Sequence, residues 1–374
     1  MQQMQSVEPR SNVFSKDPFE VSIRPTPLPG VSKSPLPKGG FLLRPRLWLL
    51  WTTTLVLATQ CSAQSSGQRA ALDLLNGNRP VLDAHNCYPY EGKWKDRIER
   101  ALSTGFPVAI EQDLAWANGR PVLSHTKDTI GTEPTLREHF FERVRGIVES
   151  ALERNDRARW PIITVHFDFK DNQRPLLEAV WKLLGEYESW ITTAPKTADP
   201  RKLSDFDAKP LLVLTEDNDD QEQVFFNALP VGAKLRLFGS AHTARIEGQT
   251  REERERLQAT MSPERLLVDP PTNYRRWWNN SWFVVEEGGQ RRGGPWNDSK
   301  RQRLEALVKH AHGLGYWIRF YTLDGFAPSE DRGWGENYNF GSRDAVLQRW
   351  RAAIDAGVNL IATDQFEELG KLMR

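Results

Sequence analysis

PVAIEQDL at residues 107–114 and PIITVHFDF at 161–169 are two short runs, rich in β-branched residues, in which acidic side chains interrupt an otherwise apolar stretch. Each has the length and composition of a buried strand. Similar runs lie on either side: PVLDAH at 80–85, KPLLVLT at 209–215, KLRLFGS at 234–240, RLLV at 265–268, YWIRFYTL at 316–323 and NLIAT at 359–363. Between them, residues 135–156, 173–188, 299–314 and 342–356 carry helical spacing. Alternating strands and helices predict an α/β fold, and about eight strands predict a closed TIM-like (β/α)8 barrel over residues 64–374. There is no glycine-rich dinucleotide fingerprint and no phosphate-binding P-loop to favour an open doubly wound sheet.

A barrel places its chemistry at the C-terminal ends of its strands. His85, Glu111, Asp113, Asp168 and Asp364 all fall near those ends. Glu111 and Asp113 are two residues apart, so a strand puts both on one face. Two inward carboxylates repel and call for a counter-charge, most simply a divalent cation. His85 ends the strand before them, and His125 follows in PVLSHTKD after an Asn118-Gly119 turn. Lys170 shares the parity of Asp168, as a phosphate contact, a support for the carboxylate or a structural ion pair. His166 alternates with Asp168 and is a candidate second hydrogen bonder behind the site.

The pieces AHNCYP, IEQDL, VLSH and FDFK, in this order across roughly residues 80–369, resemble the phosphatidylinositol phospholipase C-like and glycerophosphodiester phosphodiesterase superfamily. That resemblance implies a TIM-like barrel, two catalytic histidines at His85 and His125, and a Ca²⁺ or Mg²⁺ ion held by Glu111, Asp113 and Asp168. The His85-Asn86 pair is like the calcium-dependent phospholipase C branch, where Asn86 adds an oxygen ligand, whereas glycerophosphodiesterases have His-Arg-Gly. Aspartate at 168 is like the sphingomyelinase D branch, whose cysteine-rich loop pattern this chain lacks. The resemblance gives Asp364 a supporting role. The implied function is metal-dependent hydrolysis of a glycerophosphodiester or phospholipid headgroup. A non-catalytic lipid- or carbohydrate-binding barrel is the alternative.

Fourteen tryptophans are many for 374 residues. Trp277, Trp278, Trp282, Trp296, Trp317 and Trp334 form either an aromatic wall for a headgroup or packing for the barrel. If the strand at 316–323 turns Trp317, Arg319 and Tyr321 inward, they are substrate contacts, with Arg319 on phosphate. His139, His310 and His312 lie on helical patterns and read as structural, while His242 is a weaker candidate.

The formal charge of +1 leaves no global footprint for nucleic acid. Residues 1–40 are a proline-punctuated leader. After it, RPRLWLLWTTTLVLATQCSAQ at 44–64 has the charged, apolar, small-residue order of an export signal, ending at about residue 63. A retained anchor is the other reading of this run. Cleavage there leaves Cys87 alone, so no internal disulfide is expected. The expected protein is secreted or held at the cell envelope. It is monomeric, with at most transient contact to a membrane surface, and acts on a small phosphodiester or phospholipid.

Overall fold

The structure is a computed structural model that describes residues 79–374 apart from 91, 289–292, 328 and 331–338. The leader and export segment lie outside the described residues. Eight strands run parallel in chain order: β1 (Val81–Ala84), β2 (Val108–Ala117), β3 (Ile163–Phe169), β4 (Leu211–Thr215), β5 (Phe238–Ser240), β6 (Arg275–Ser281), β7 (Trp317–Tyr321) and β8 (Leu360–Thr363). Each pairs with its successor, and β8 pairs with β1 from Val81–Leu360 to Ala84–Thr363, which closes the barrel. An eight-stranded α/β barrel is therefore the architecture expected from the sequence.

Helices cover the outside because their apolar residues recur on one face. Helices α1 (Arg97–Ser103) and α2 (Glu142–Arg154) flank the first strands, and α2 buries Val144, Val148 and Ala151. In α3 (Arg174–Glu186), Leu176, Leu177, Val180, Leu183 and Leu184 make the buried stripe. The ring continues with α4 (Arg251–Thr260), α5 (Asp298–Leu314), α6 (Arg343–Ala356) and α7 (Phe366–Met373). Asn297 caps α5 by accepting from the Lys300 N–H at 3.1 Å. Gly315, at φ 101°, ends the same helix in the left-handed region that favours glycine.

The sixth strand is a correction. RLLV at 265–268 is not in the barrel: Pro263, after Ser262, starts a short helical turn at Pro263–Leu266. The barrel strand is RRWWNNS at 275–281. Its buried Arg275 and nearly buried Asn279 break the apolar run by which interior strands are sought. Of KLRLFGS, only Phe238–Ser240 joins the barrel, while Lys234–Leu235 pairs antiparallel with Ala194–Pro195.

Beyond its barrel portion β2 folds back through the Asn118-Gly119 turn, at φ 51° and 74°, into an antiparallel strand at Arg120–Leu123. Those left-handed angles suit a two-residue hairpin. This flap carries His125 back over the mouth. Gly239, on β5, permits a close approach: a Cβ there would lie 2.3 Å from Tyr274 Cε1. Because Tyr274 is buried, Gly239→Ala should destabilise by about 1–3 kcal/mol through overpacking. Urea denaturation checks this, and an unchanged midpoint would refute it.

Candidate active site at the barrel mouth

Strand parity builds the site. In β2, Glu111 and Asp113 both point into the barrel, as the two-residue spacing predicts. Register pairs them with His166 and Asp168 of β3. One carboxylate oxygen each from Glu111, Asp113 and Asp168 lies within 4.8 Å of the others. Here a cavity of about 280 Å³ opens. Its lining includes every expected site residue except Asp113 and Trp317, and adds Glu216 and Asn279.

His85 follows β1, and its Nδ1 lies 2.9 Å from Asp364 Oδ1 and 2.7 Å from Asn86 Nδ2. Its Nε2 lies 3.4 Å from Glu111 Oε2. Burial disfavours the imidazolium, yet the Glu111 charge and the Asp364 hydrogen bond outweigh it and raise His85 to about 9. Glu111 Oε2 also accepts from the Asn86 N–H and from Arg319 Nη2, both at 3.2 Å. Burial would raise the Glu111 carboxyl, but the His85 and Arg319 charges hold it well below the usual range.

His125 is anchored in the same manner. Its Nδ1 lies 3.0 Å from Asp113 Oδ2. The Tyr88 hydroxyl donates to that oxygen at 2.6 Å, and Lys170 Nζ lies 2.8 Å from it. Lys170 Nζ also donates to Asp168 Oδ2 at 2.7 Å, so the lysine bridges two carboxylates. Burial, then the Asp113 charge, raise Asp168 to about 6 against the opposing pull of Lys170. Asp113 Oδ1 is buried without a hydrogen bond. Among the described residues the three partners of Asp113 all meet Oδ2, so burial of Oδ1 goes uncompensated by a hydrogen bond.

Arg319 is 1% exposed and directs its nitrogens to protein acceptors: Nε to Asp83, Nη1 to Asn279 Oδ1 at 3.0 Å, and Nη2 to Glu111. It holds the carboxylates from below. Asn86, at φ 51°, places its side-chain oxygen 3.0 Å from the Tyr88 hydroxyl oxygen. His166 lies behind the carboxylates, its Nε2 2.6 Å from Glu216 Oε1.

Trp317 is a correction. It points inward like Arg319 but lies lower in the barrel, 1% exposed and stacked on Phe206 with ring centroids 5.8 Å apart. Trp277 fills the interior beside it, edge-on to His166 at 4.8 Å. None of Trp277, Trp278 and Trp282 lines the cavity either, so these indoles are packing, and Trp334 lies outside the described residues. Tyr321 does reach the cavity.

His139, His310 and His312 bond to Cys87 O, Leu267 O and Asn359 Oδ1, as structural histidines do. His242 pairs with Asp217 at 2.6 Å, away from the cavity. Sequence reading missed Tyr88, Glu216, Asn279 and Asp324. Glu216 directly follows the last residue of β4, a position where barrels keep functional groups, so that signal was present.

Asp324 supports the His85 anchor. Its Oδ1 accepts from Thr363 Oγ1 and from the Asp364 N–H, both at 2.7 Å. Burial, then the Asp364 charge, raise its carboxyl to about 7. The folded chain thus binds this proton more tightly than the unfolded one, whose carboxyl titrates near about 3.9. Stability therefore falls as pH rises through the window from about 4 to 7. Asp324→Asn keeps an accepting oxygen, so it should flatten that slope and be the more stable form at pH 8. Identical pH dependence of the urea midpoints would contradict this.

Fold and cluster together define an α/β barrel with buried carboxylate–histidine groups at its mouth that can hold a metal. No family model matches the chain, and no curated protein matches it. Similar solved structures include Plasmodium falciparum HPPK-DHPS with pterin and p-hydrobenzoate, at 8% identity and TM-score 0.37, covering 79% of this chain and 47% of that one. An HPPK-DHPS in complex with substrates gives 10% identity and TM-score 0.37, covering 79% of this chain and 48% of that one. The chain spans about half the length of these structures, and nothing about its chemistry follows from them.

Proposed function

We propose that this chain is a metal-dependent phosphoric diester hydrolase acting on a glycerophosphodiester or phospholipid headgroup. The observation that supports it most is the pairing of two histidines, each anchored through Nδ1 by a buried carboxylate and both lining one polar cavity. Anchoring at Nδ1 makes Nε2 the working nitrogen. One histidine would take the proton of the attacking hydroxyl, and the other would deliver a proton to the leaving oxygen.

The donor set fits Ca²⁺ or Mg²⁺. Glu111, Asp113 and Asp168 offer hard oxygens, with Asn86 beside them, and Asp113 Oδ1 is a buried oxygen with no hydrogen bond among the described residues. When bound, such an ion would neutralise phosphate oxygens and stabilise the charge gathered in the transition state. Arg319 positions Glu111, Lys170 keeps Asp113 and Asp168 together within reach of phosphate, and Tyr321 offers a hydroxyl at the rim. A secreted or envelope-associated location is supported by the residue order at 44–64 alone. Among the described residues no helix is long and apolar enough to cross a membrane.

Purified protein with a panel of glycerophosphodiesters and phospholipids, with Ca²⁺, Mg²⁺ or chelator and phosphorus NMR of the products, tests the proposal. Expected are turnover that chelation reduces by at least about 10²-fold and metal restores, and a product spectrum that shows which ester bond breaks. No metal-dependent turnover across the panel would overturn it.

A further inference from the structure

A second cavity, of about 580 Å³, adjoins the first and shares Tyr321 with it. Its floor continues the same two strands: Ser281 ends β6, Tyr321 ends β7, and the two are register partners. Its wall is α4, which presents Arg251 and Arg254 three residues apart and therefore on one side of the helix. Among the described residues of the lining Glu255 is the only acidic one, and it already accepts from Arg251 Nε at 2.8 Å.

Arg254 is held differently. Its stem lies across Gly248, where a Cβ would come within 2.8 Å of Arg254 Cγ, and its Nη1 donates to Gly248 O at 3.0 Å. The remaining guanidinium N–H groups have no acceptor among the described residues. The cavity thus combines a net positive charge with the hydroxyls of Ser281, Thr322 and Tyr321, which is the chemistry of a hydroxylated, phosphate-bearing ligand.

A phosphodiester has two ester arms, and the reaction cavity meets the cavity against α4 at Tyr321, so an arm leaving the phosphorus on that side runs toward the arginines. Building on the proposed hydrolase reading, we infer that the cavity against α4 receives one arm of the substrate and that this arm carries a second phosphate, gripped by Arg254 and Arg251. The preferred substrate class is a phosphodiester whose alcohol arm is itself a phosphate monoester.

Glycerophosphoglycerol and the same diester phosphorylated on its terminal hydroxyl differ only by that group. The wild-type kcat/KM should be about tenfold or more higher for the phosphorylated diester. Arg254→Glu should abolish that preference by lowering kcat/KM for the phosphorylated diester far more than for the plain one, with the loss appearing in KM. Arg254→Lys should restore part of it. Equal kcat/KM for the two diesters in the wild type, or a preference that survives Arg254→Glu, would overturn the inference. If neither diester turns over, the hydrolase reading fails separately. Calorimetric binding of the phosphorylated diester then decides: affinity lost in Arg254→Glu supports the second site, and affinity unchanged refutes it.

Discussion

Phosphodiester turnover should fall by about 10²–10⁴ in His125→Ala, with KM little changed and the fold intact. His125 sits on the flap rather than in the barrel core, and its side chain is 26% exposed, so truncation leaves little unpacked. Lys170 and Tyr88 would still satisfy Asp113 Oδ2. His85→Ala should lose activity on the same scale, but it also removes a partner from buried Asp364 and Glu111 and should lower stability too. Steady-state kinetics alongside thermal melts separate the two effects. A His125→Ala enzyme keeping more than about a tenth of wild-type kcat would remove His125 from proton transfer.

Arg319→Met should produce the largest loss of stability, about 3–5 kcal/mol, because it strands two buried carboxylates. Arg319 joins Asp83 from β1 and Glu111 from β2 to its own strand β7, across the barrel interior. Burial alone would depress the guanidinium, but the Asp83 and Glu111 charges outweigh it and raise its pKa. Asp83→Asn combined with Arg319→Met should cost less than the sum of the single changes, since the double variant leaves fewer uncompensated charges. Additive urea-unfolding free energies would show that the pair is not coupled.

Much of this was legible in the sequence, for physical reasons. Strands β2 and β3 open on apolar residues and carry their acidic residues at one parity, so the carboxylate cluster could be read from spacing. The Asn118-Gly119 turn announced the flap that returns His125. Strand β6 escaped because polar Arg275 and Asn279 flank Trp277 at its interior positions: Asn279 faces Glu216 and Arg319, and periodicity searches reward apolar interiors. Tyr88 escaped because a left-handed residue, Asn86, reverses the chain just after β1. Local pattern could not show that the tyrosine comes to rest against Asp113. The tryptophans illustrate the reverse case. Their number left a binding wall and packing equally open, and Trp277 and Trp317 are large enough to fill the barrel below the polar site, where small side chains would leave voids.

The seam between β1 and β8 also has a consequence for biosynthesis. His85 and the Asp364 that orients it are 279 residues apart in the chain. At about 5–20 residues per second, a ribosome needs roughly a quarter of a minute to a minute to travel between them. Throughout that interval the emerging polypeptide holds its first histidine without the carboxylate that aims it. The barrel cannot close until β8 has been translated.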